Sequence, residues 1–173
     1  MMQRWFASLL FFALLPFGCT RNMQWSAVHK MAESAGAGVP FVTTDTLAKR
    51  LSEDDERPIL LDARSPEEYA VSHLPGAHRV DPDGRRYPDL DSLDADAPIV
   101  VYCSVGVRSG TVAKRLQDQG FTNVANLKGS IFQWANEGRP VLRNGEPVTA
   151  VHPYDATWGR LLDDALHAYE PEG

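Results

Sequence analysis

Apolar and polar positions along residues 43–136 follow two alternating periods. Four short apolar runs are typical of buried strands: Ile59–Asp62, Ala77–Val80, Ile99–Tyr102 and Val124–Leu127. Between and around them, apolar residues recur with helical spacing over residues 43–51, 65–71, 109–119 and 130–136. Strands that alternate with helices predict an α/β fold, in which helices cover both faces of a parallel sheet.

Residues 98–116 join an apolar strand to a cysteine, a short loop with a glycine, and a helix. Cys103 follows the strand directly, and Gly106 and Arg108 come shortly after it. Because a free thiol has a pKa of about 8.5, little thiolate is present at neutral pH unless nearby groups favour the anion. Backbone N–H groups, a helix N-terminus and an arginine all do so. This order predicts a reactive thiolate that receives an anion, with a buried structural cysteine as the alternative.

The segment from Cys103 to Arg108 resembles the active-site loop of the rhodanese (sulfurtransferase) family. Further matches to that family's motifs lie on both sides of the loop, at residues 59–64, 66–69, 72–78, 126–130, 132–134 and 138–141. The similarity covers about residues 40–142 in the expected order. It implies a rhodanese-like domain over residues 39–143, with a central parallel sheet of five strands and helices on both faces.

The resemblance also implies a chemistry. Cys103 would take a sulfane sulfur from a small sulfur-containing anion or a persulfide and pass it to cyanide or a thiol. The resulting persulfide would be held by the backbone N–H groups of the loop, Ser104, Val105, Gly106, Val107 and Arg108. Asp62 and Arg64 would form a structural ion pair, and no cofactor or metal would be needed. The alternative is a non-catalytic or redox-sensing module that binds a protein partner in the cell envelope.

Two details of the loop refine this expectation. Four residues separate Cys103 from Arg108, as in sulfur-transferring members of the family, whereas related phosphatases have five. This spacing favours sulfur transfer over phosphate-ester or arsenate chemistry. Ser104 and Val105 stand where many thiosulfate-using relatives carry basic residues. We therefore expect thiosulfate to be a poorer donor than a persulfide.

Composition excludes some other functions. The chain has 173 residues, of which 43% are hydrophobic and 23% charged, and its net charge is −6. These values are ordinary for a globular protein and argue against nucleic acid as a partner. His73 and His78 have no metal-ligand spacing with a cysteine, so we expect no zinc site.

The first residues have the features of a bacterial export signal. Arg4 precedes an uncharged apolar run from Trp5 to Leu15, and Gly18-Cys19 follows. The pattern predicts a signal over residues 1–18 and resembles a lipoprotein processing site, so that Cys19 would carry a lipid. The protein would then be anchored to a membrane on the periplasmic side of the cell envelope. An ordinary signal cut nearby and an uncleaved anchor are the alternatives.

Two segments lie outside the family similarity. Residues 19–38 are predicted to be a tether, either a short amphipathic helix or a disordered spacer, ending in a flexible hinge at Ser34–Gly38. Residues 144–173 are predicted to be a C-terminal extension with a turn and a short helix. Five of its residues are expected to pack on the domain: Trp158, Leu161, Leu162, Ala165 and Leu166.

Overall fold

The computed structural model describes residues 17–53, 57–84, 87, 90 and 92–171, with side chains from residue 23 onward. Residues 1–16 of the predicted export signal lie outside the described residues, and so does the side chain of Cys19. The first described element is a helix that begins at Phe17.

A sheet of five parallel strands forms the centre of the domain. The strands are β1 (Phe41–Val42), β2 (Ile59–Asp62), β3 (His78–Arg79), β4 (Ile99–Tyr102) and β5 (Val124–Leu127). Their spatial order is β1-β5-β4-β2-β3, and every pairing is parallel. This confirms the predicted α/β fold and five-stranded sheet. β3 is shorter than the predicted Ala77–Val80, and the two-residue edge strand β1 is too short to give a period of its own.

The described residues contain five α-helices: α1 (Phe17–Ala35), α2 (Thr44–Ser52), α3 (Pro66–Val71), α4 (Val107–Asp118) and α5 (Ser130–Asn136). Helix α4 begins two residues before the predicted Ser109, because Gly106 adopts a left-handed φ of 108° and serves as its N-cap. Val107 and Arg108 therefore belong to the first turn of a helix. No helix in the described part of the chain is long and apolar enough to cross a membrane.

Strand β4 contributes residues to the apolar core on both faces of the sheet. Its even-numbered residues pack in an apolar cluster with residues of α2 and α5, and its odd-numbered residues pack in a second cluster with residues of α4. This is the period of two expected of a strand that is buried on both sides. All four residues of β4 are at most 1% exposed. The residue that follows β4, Cys103, is therefore held by the most buried part of the fold.

Helix α1 packs against α4. Its residues Val28 and Ala32 are buried, so of the two alternatives for the predicted tether the structure has the helix. A Cβ atom placed on Gly110 would lie 2.9 Å from the carbonyl oxygen of Ala32 and 3.1 Å from the amide nitrogen of Gly36. Instead of the flexible hinge expected at Ser34–Gly38, this segment contains a closely packed turn. The two glycines permit that packing because they carry no side chain.

The C-terminal extension differs in detail from the prediction. Strands β6 (Val141–Arg143) and β7 (Glu146–Val148) form an antiparallel hairpin across the expected boundary at residue 143. Its turn residues Asn144 and Gly145 both have positive φ, and Asn-Gly is the sequence signal of such a turn.

Two short 3₁₀ helices, Trp158–Leu161 and Asp164–Leu166, replace the predicted single helix. Leu161 and Leu162 are buried, and Trp158 and Leu166 pack partly against the same cluster. Ala165 is exposed, in contrast to the expectation that it packs on the domain. The four larger of the five predicted side chains thus pack on the domain, and Val151 of the extension is buried in the same cluster.

Candidate active site

Cys103 lies at the carboxyl end of β4, the edge at which parallel sheets bind their ligands. The start of α5 fixes this position. The Cys103 amide donates to the hydroxyl of Ser130 at 3.1 Å, and the Cys103 carbonyl accepts from the amide of Ile131 at 3.2 Å. The carbonyl of Ser104 accepts from the amide of Phe132 at 3.1 Å. These bonds turn the chain away from the sheet immediately after β4.

Hydrogen-bond donors and a positive charge surround the Cys103 sulfur, which belongs to a residue that is 1% exposed. The Gly106 amide donates to Sγ at 3.1 Å, and the Ser109 hydroxyl lies 3.5 Å from it. Burial by itself would raise the pKa of the Cys103 thiol. The nearby Arg108 charge and the hydrogen bonds from Ser109 and Gly106 outweigh burial and lower that pKa below its ordinary value. The site therefore favours a thiolate in a buried position.

Asn126 and Ser109 complete the surroundings of the sulfur, although sequence reasoning did not assign either one to the site. The Asn126 amide donates to the carbonyl of Gly106 at 2.8 Å, so its oxygen is free to accept from the Ser109 hydroxyl, also at 2.8 Å. A hydroxyl has one hydrogen, which Ser109 can direct either to Asn126 or to a thiolate at Cys103. The signal in the sequence was an asparagine within the apolar run Val124–Leu127, where it is 1% exposed.

We expect Ser109→Ala to raise the pKa of the Cys103 thiol by about one unit, because it removes a hydrogen bond to a charged group. When the pH is lowered, the thiolate of this variant would be protonated at a higher pH than that of the wild type. The fraction of thiolate at neutral pH would therefore decrease. The measurement is a titration of the thiolate's ultraviolet absorbance, with the Cys103→Ser protein as baseline. Ser52→Ala, which removes an exposed hydroxyl bonded to a helix carbonyl, is the matched control. An unchanged midpoint in Ser109→Ala would contradict the assigned hydrogen bond.

Arg108 forms a paired contact with Glu68 of α3. Its two terminal nitrogens donate to the two carboxylate oxygens at 2.7 Å each, and one of them also donates to the Ser104 hydroxyl at 2.9 Å. Ser104 in turn donates to Glu68 at 2.8 Å. Burial alone would raise the pKa of Glu68, but Arg108 and the hydrogen bonds from Ser65 and Ser104 lower it to about 2. Glu68 is therefore ionised at neutral pH, and it balances the charge of Arg108.

Sequence reasoning treated Glu68 only as part of a family motif. A physical signal was nevertheless present, since Ser65-x-x-Glu68 is a capping box at the start of α3. Both of its bonds form: the Glu68 amide donates to the Ser65 hydroxyl at 3.3 Å, and the Ser65 amide donates to the Glu68 carboxylate at 3.0 Å. The cap and the contact with Arg108 use the same carboxylate. Glu68 thereby connects the start of α3 to the first turn of α4.

Ser104 and Val105 have buried side chains, at 3% and 5% exposure. Ser104 belongs to the Glu68–Arg108 network, and Val105 belongs to the apolar cluster that includes Val28 of α1. Val107 packs partly against the same cluster. These loop residues can therefore offer backbone groups to a ligand, whereas their side chains are occupied in the interior.

Asp62 and Arg64 form an ion pair in which both side chains are fully buried. The Arg64 guanidinium donates to both oxygens of Asp62, at 2.7 Å in the shortest contact, and to the Ser72 carbonyl at 2.6 Å. Burial alone would lower the pKa of Arg64, but Asp62 raises it above its ordinary value. Through these bonds Arg64 connects the end of β2 to the segment after α3. Among the described residues, no group of three or more His, Cys, Asp or Glu side chains is placed to hold a metal ion.

Comparisons with known proteins agree with this geometry. The "Rhodanese-like domain" family model matches residues 43–137. A "Sulfurtransferase" of Allochromatium vinosum is 33% identical over 101 residues, which cover 58% of this chain and 92% of that protein. The "Thiosulfate sulfurtransferase GlpE" of Actinobacillus pleuropneumoniae is 35% identical over 89 residues, covering 51% and 81%. A rhodanese-like domain protein from Staphylococcus aureus has a similar structure, with a TM-score of 0.53 and 29% identity over 61% of this chain and 99% of that chain. Because the family model spans more than half of the sequence, the protein belongs to the rhodanese-like family.

Proposed function

We propose that the protein is a sulfurtransferase whose nucleophile is Cys103. The observation that carries the proposal is a buried thiol with a lowered pKa, at the end of a parallel strand and separated from an arginine by four residues. Relatives that are named sulfurtransferases support the same reaction class. The short spacing supports sulfur transfer over phosphate-ester chemistry.

In the first half-reaction, the Cys103 thiolate attacks the outer sulfur of a sulfane donor. A new S–S bond forms at Cys103 while the donor's S–S bond breaks, and its electron pair leaves with the donor remnant. With thiosulfate the products are the Cys103 persulfide and sulfite, so atoms and charge balance. The Gly106 amide and Arg108 favour the anionic form of both the thiolate and the persulfide.

In the second half-reaction, a nucleophilic acceptor attacks the terminal sulfur of the persulfide. The S–S bond at Cys103 breaks, its electron pair returns to Cys103, and the acceptor leaves as thiocyanate or as a new persulfide. The two halves share one covalent intermediate and predict ping-pong kinetics. The scheme requires neither a metal nor an organic cofactor.

The charge around the loop bears on the choice of donor. Glu68 occupies two hydrogen-bonding nitrogens of Arg108 and balances its charge, and Ser104 and Val105 bring no basic group. A doubly charged donor therefore has few charge-assisted contacts at this loop. We infer that thiosulfate reacts with a high KM and that a persulfide is the better donor.

Mass spectrometry of the intact protein tests the proposed function. After incubation with thiosulfate or an organic persulfide, we expect one added sulfur atom on Cys103, which cyanide then removes. The Cys103→Ser protein, treated in the same way, should gain no sulfur. A wild-type protein that gains no sulfur from either donor would contradict the proposal and favour a redox-sensing or binding module.

We also propose that the protein is a lipoprotein of the bacterial cell envelope, anchored through Cys19. The support is the basic start, the uncharged apolar run and the Gly18-Cys19 pair. Expressed at full length in a Gram-negative host, the protein should separate with the membranes and carry lipid on Cys19. Cys19→Ser should abolish the lipid while leaving sulfur transfer unchanged. A soluble periplasmic product whose N-terminus lies beyond Cys19 would contradict the anchor.

A further inference from the structure

Tyr154 in the C-terminal extension has an unusual backbone conformation. Its φ is 68°, in the left-handed region that bulky residues seldom adopt. Two hydrogen bonds hold the turn: the Tyr154 amide donates to the ring of His152 at 3.0 Å, and the Asp155 amide donates to the Pro153 carbonyl at 2.9 Å. Unfavourable backbone conformations of this kind concentrate at ligand-binding positions. The position of this side chain therefore calls for a functional explanation.

The turn places the Tyr154 ring over Arg108. The guanidinium carbon lies 4.7 Å from the ring centre, a cation–π contact. Tyr154 is nevertheless 46% exposed, so much of the ring is open to solvent. The extension thus presents an aromatic surface at the loop that contains Cys103.

The partly exposed end of the reactive loop lies beside this ring. Four of the six loop residues, Cys103 to Gly106, are buried, and only Val107 and Arg108 are partly exposed. On the α1 side the loop is closed, because a Cβ atom on Gly106 would lie 3.4 Å from the Ala32 side chain. The accessible end of the loop is therefore at Val107 and Arg108, and the Tyr154 ring lies over the Arg108 guanidinium.

The chemistry of this approach favours donors with an apolar body. Glu68 balances the charge of Arg108, so the second negative charge of thiosulfate gains little there. An alkyl or aryl group can instead pack on the open part of the Tyr154 ring. We propose that Tyr154 is a specificity-determining residue that selects sulfane donors with an apolar substituent over thiosulfate. This inference rests on the proposed sulfurtransferase function.

Two donors that differ in this group and by one negative charge provide the test. Benzenethiosulfonate and thiosulfate both give up an outer sulfur; the first releases a sulfinate and the second releases sulfite, so the bond changes at Cys103 are the same. The measured quantity is the ratio of kcat/KM for benzenethiosulfonate to kcat/KM for thiosulfate, with cyanide as acceptor. Tyr154→Asn removes the ring and keeps a residue that tolerates positive φ. We expect it to lower the ratio about three- to tenfold.

Three further variants make the result specific. Tyr154→Phe keeps the ring and should keep the wild-type ratio. Tyr169→Ala removes another exposed aromatic of the extension, one that contacts His152, and should also leave the ratio unchanged. Tyr154→Gly removes the ring with a residue that adopts positive φ readily, and it replaces Tyr154→Asn if that protein does not fold.

The outcomes separate the two proposals. An unchanged ratio in the ring-deleted proteins, or an equal loss with both donors, would overturn the role of Tyr154 while the sulfurtransferase function stands. A wild-type protein that transfers no sulfur from either donor would overturn the proposed function, and the inference with it. A lowered ratio in the ring-deleted proteins alone supports the selection of donors by Tyr154.

Discussion

Replacing Cys103 with serine should lower sulfur transfer by about three orders of magnitude or more, the scale of loss typical when a catalytic nucleophile is removed. A serine hydroxyl at this position cannot carry a sulfane sulfur. The exchange of sulfur for oxygen changes volume little, so the thermal midpoint should stay close to that of the wild type. The measurement is thiocyanate formation from thiosulfate and cyanide.

The second cysteine provides the matched control. Cys19→Ser removes the other cysteine of the chain, and sulfur transfer should not change. Activity well above background in Cys103→Ser would exclude Cys103 as the nucleophile. Loss of activity together with loss of folding would be identified by circular dichroism of the same sample.

The largest loss of stability is expected from Asp62→Asn. It removes the charge that balances Arg64, while the guanidinium stays fully buried. Removing one partner of a buried ion pair costs about 3–5 kcal/mol, because the remaining charge is left without compensation. We expect a decrease of this size in the free energy of unfolding, measured by urea denaturation.

An exposed ion pair on α4 offers the comparison. Asp118 pairs with Lys114 one helical turn away, and their side chains are 63% and 40% exposed. Asp118→Asn should change the free energy of unfolding by no more than about 0.5 kcal/mol. If Asp62→Asn were as mild as Asp118→Asn, the buried pair would contribute little to holding the end of β2.

The sequence predicted those strands and helices in which the pattern of hydrophobic residues is long enough to be recognised. Strands β2, β4 and β5 coincide with the predicted apolar runs, because residues on both faces of each strand are buried or partly buried. The start of α4 was misplaced because it depends on the backbone conformation of Gly106, which the hydrophobic pattern does not reveal. The hairpin at Asn144-Gly145 could have been predicted, since its turn signal was present.

The candidate site divides in the same way. Cys103, Gly106 and Arg108 lie within six residues, so local spacing was enough to bring them together. Glu68 lies 40 positions from Arg108, and Asn126 lies 17 from Ser109. Contacts over such separations depend on the order and register of the strands, which the sequence pattern alone did not specify. Tyr154 was missed for the further reason that its placement depends on an uncommon backbone conformation.

The packing of α1 on Gly106 and Gly110 has a consequence for the size of the autonomous folding unit. The family similarity ends at residues 43 and 137, yet Ala32 precedes it and contacts the reactive loop. Leu161 and Leu162 follow it and are buried in the same apolar cluster as Val105. A chain trimmed to the family limits would expose that cluster to water and remove one wall of the loop. Recombination that moves only residues 43–137 into another protein would thus separate the thiol from side chains that keep it out of water.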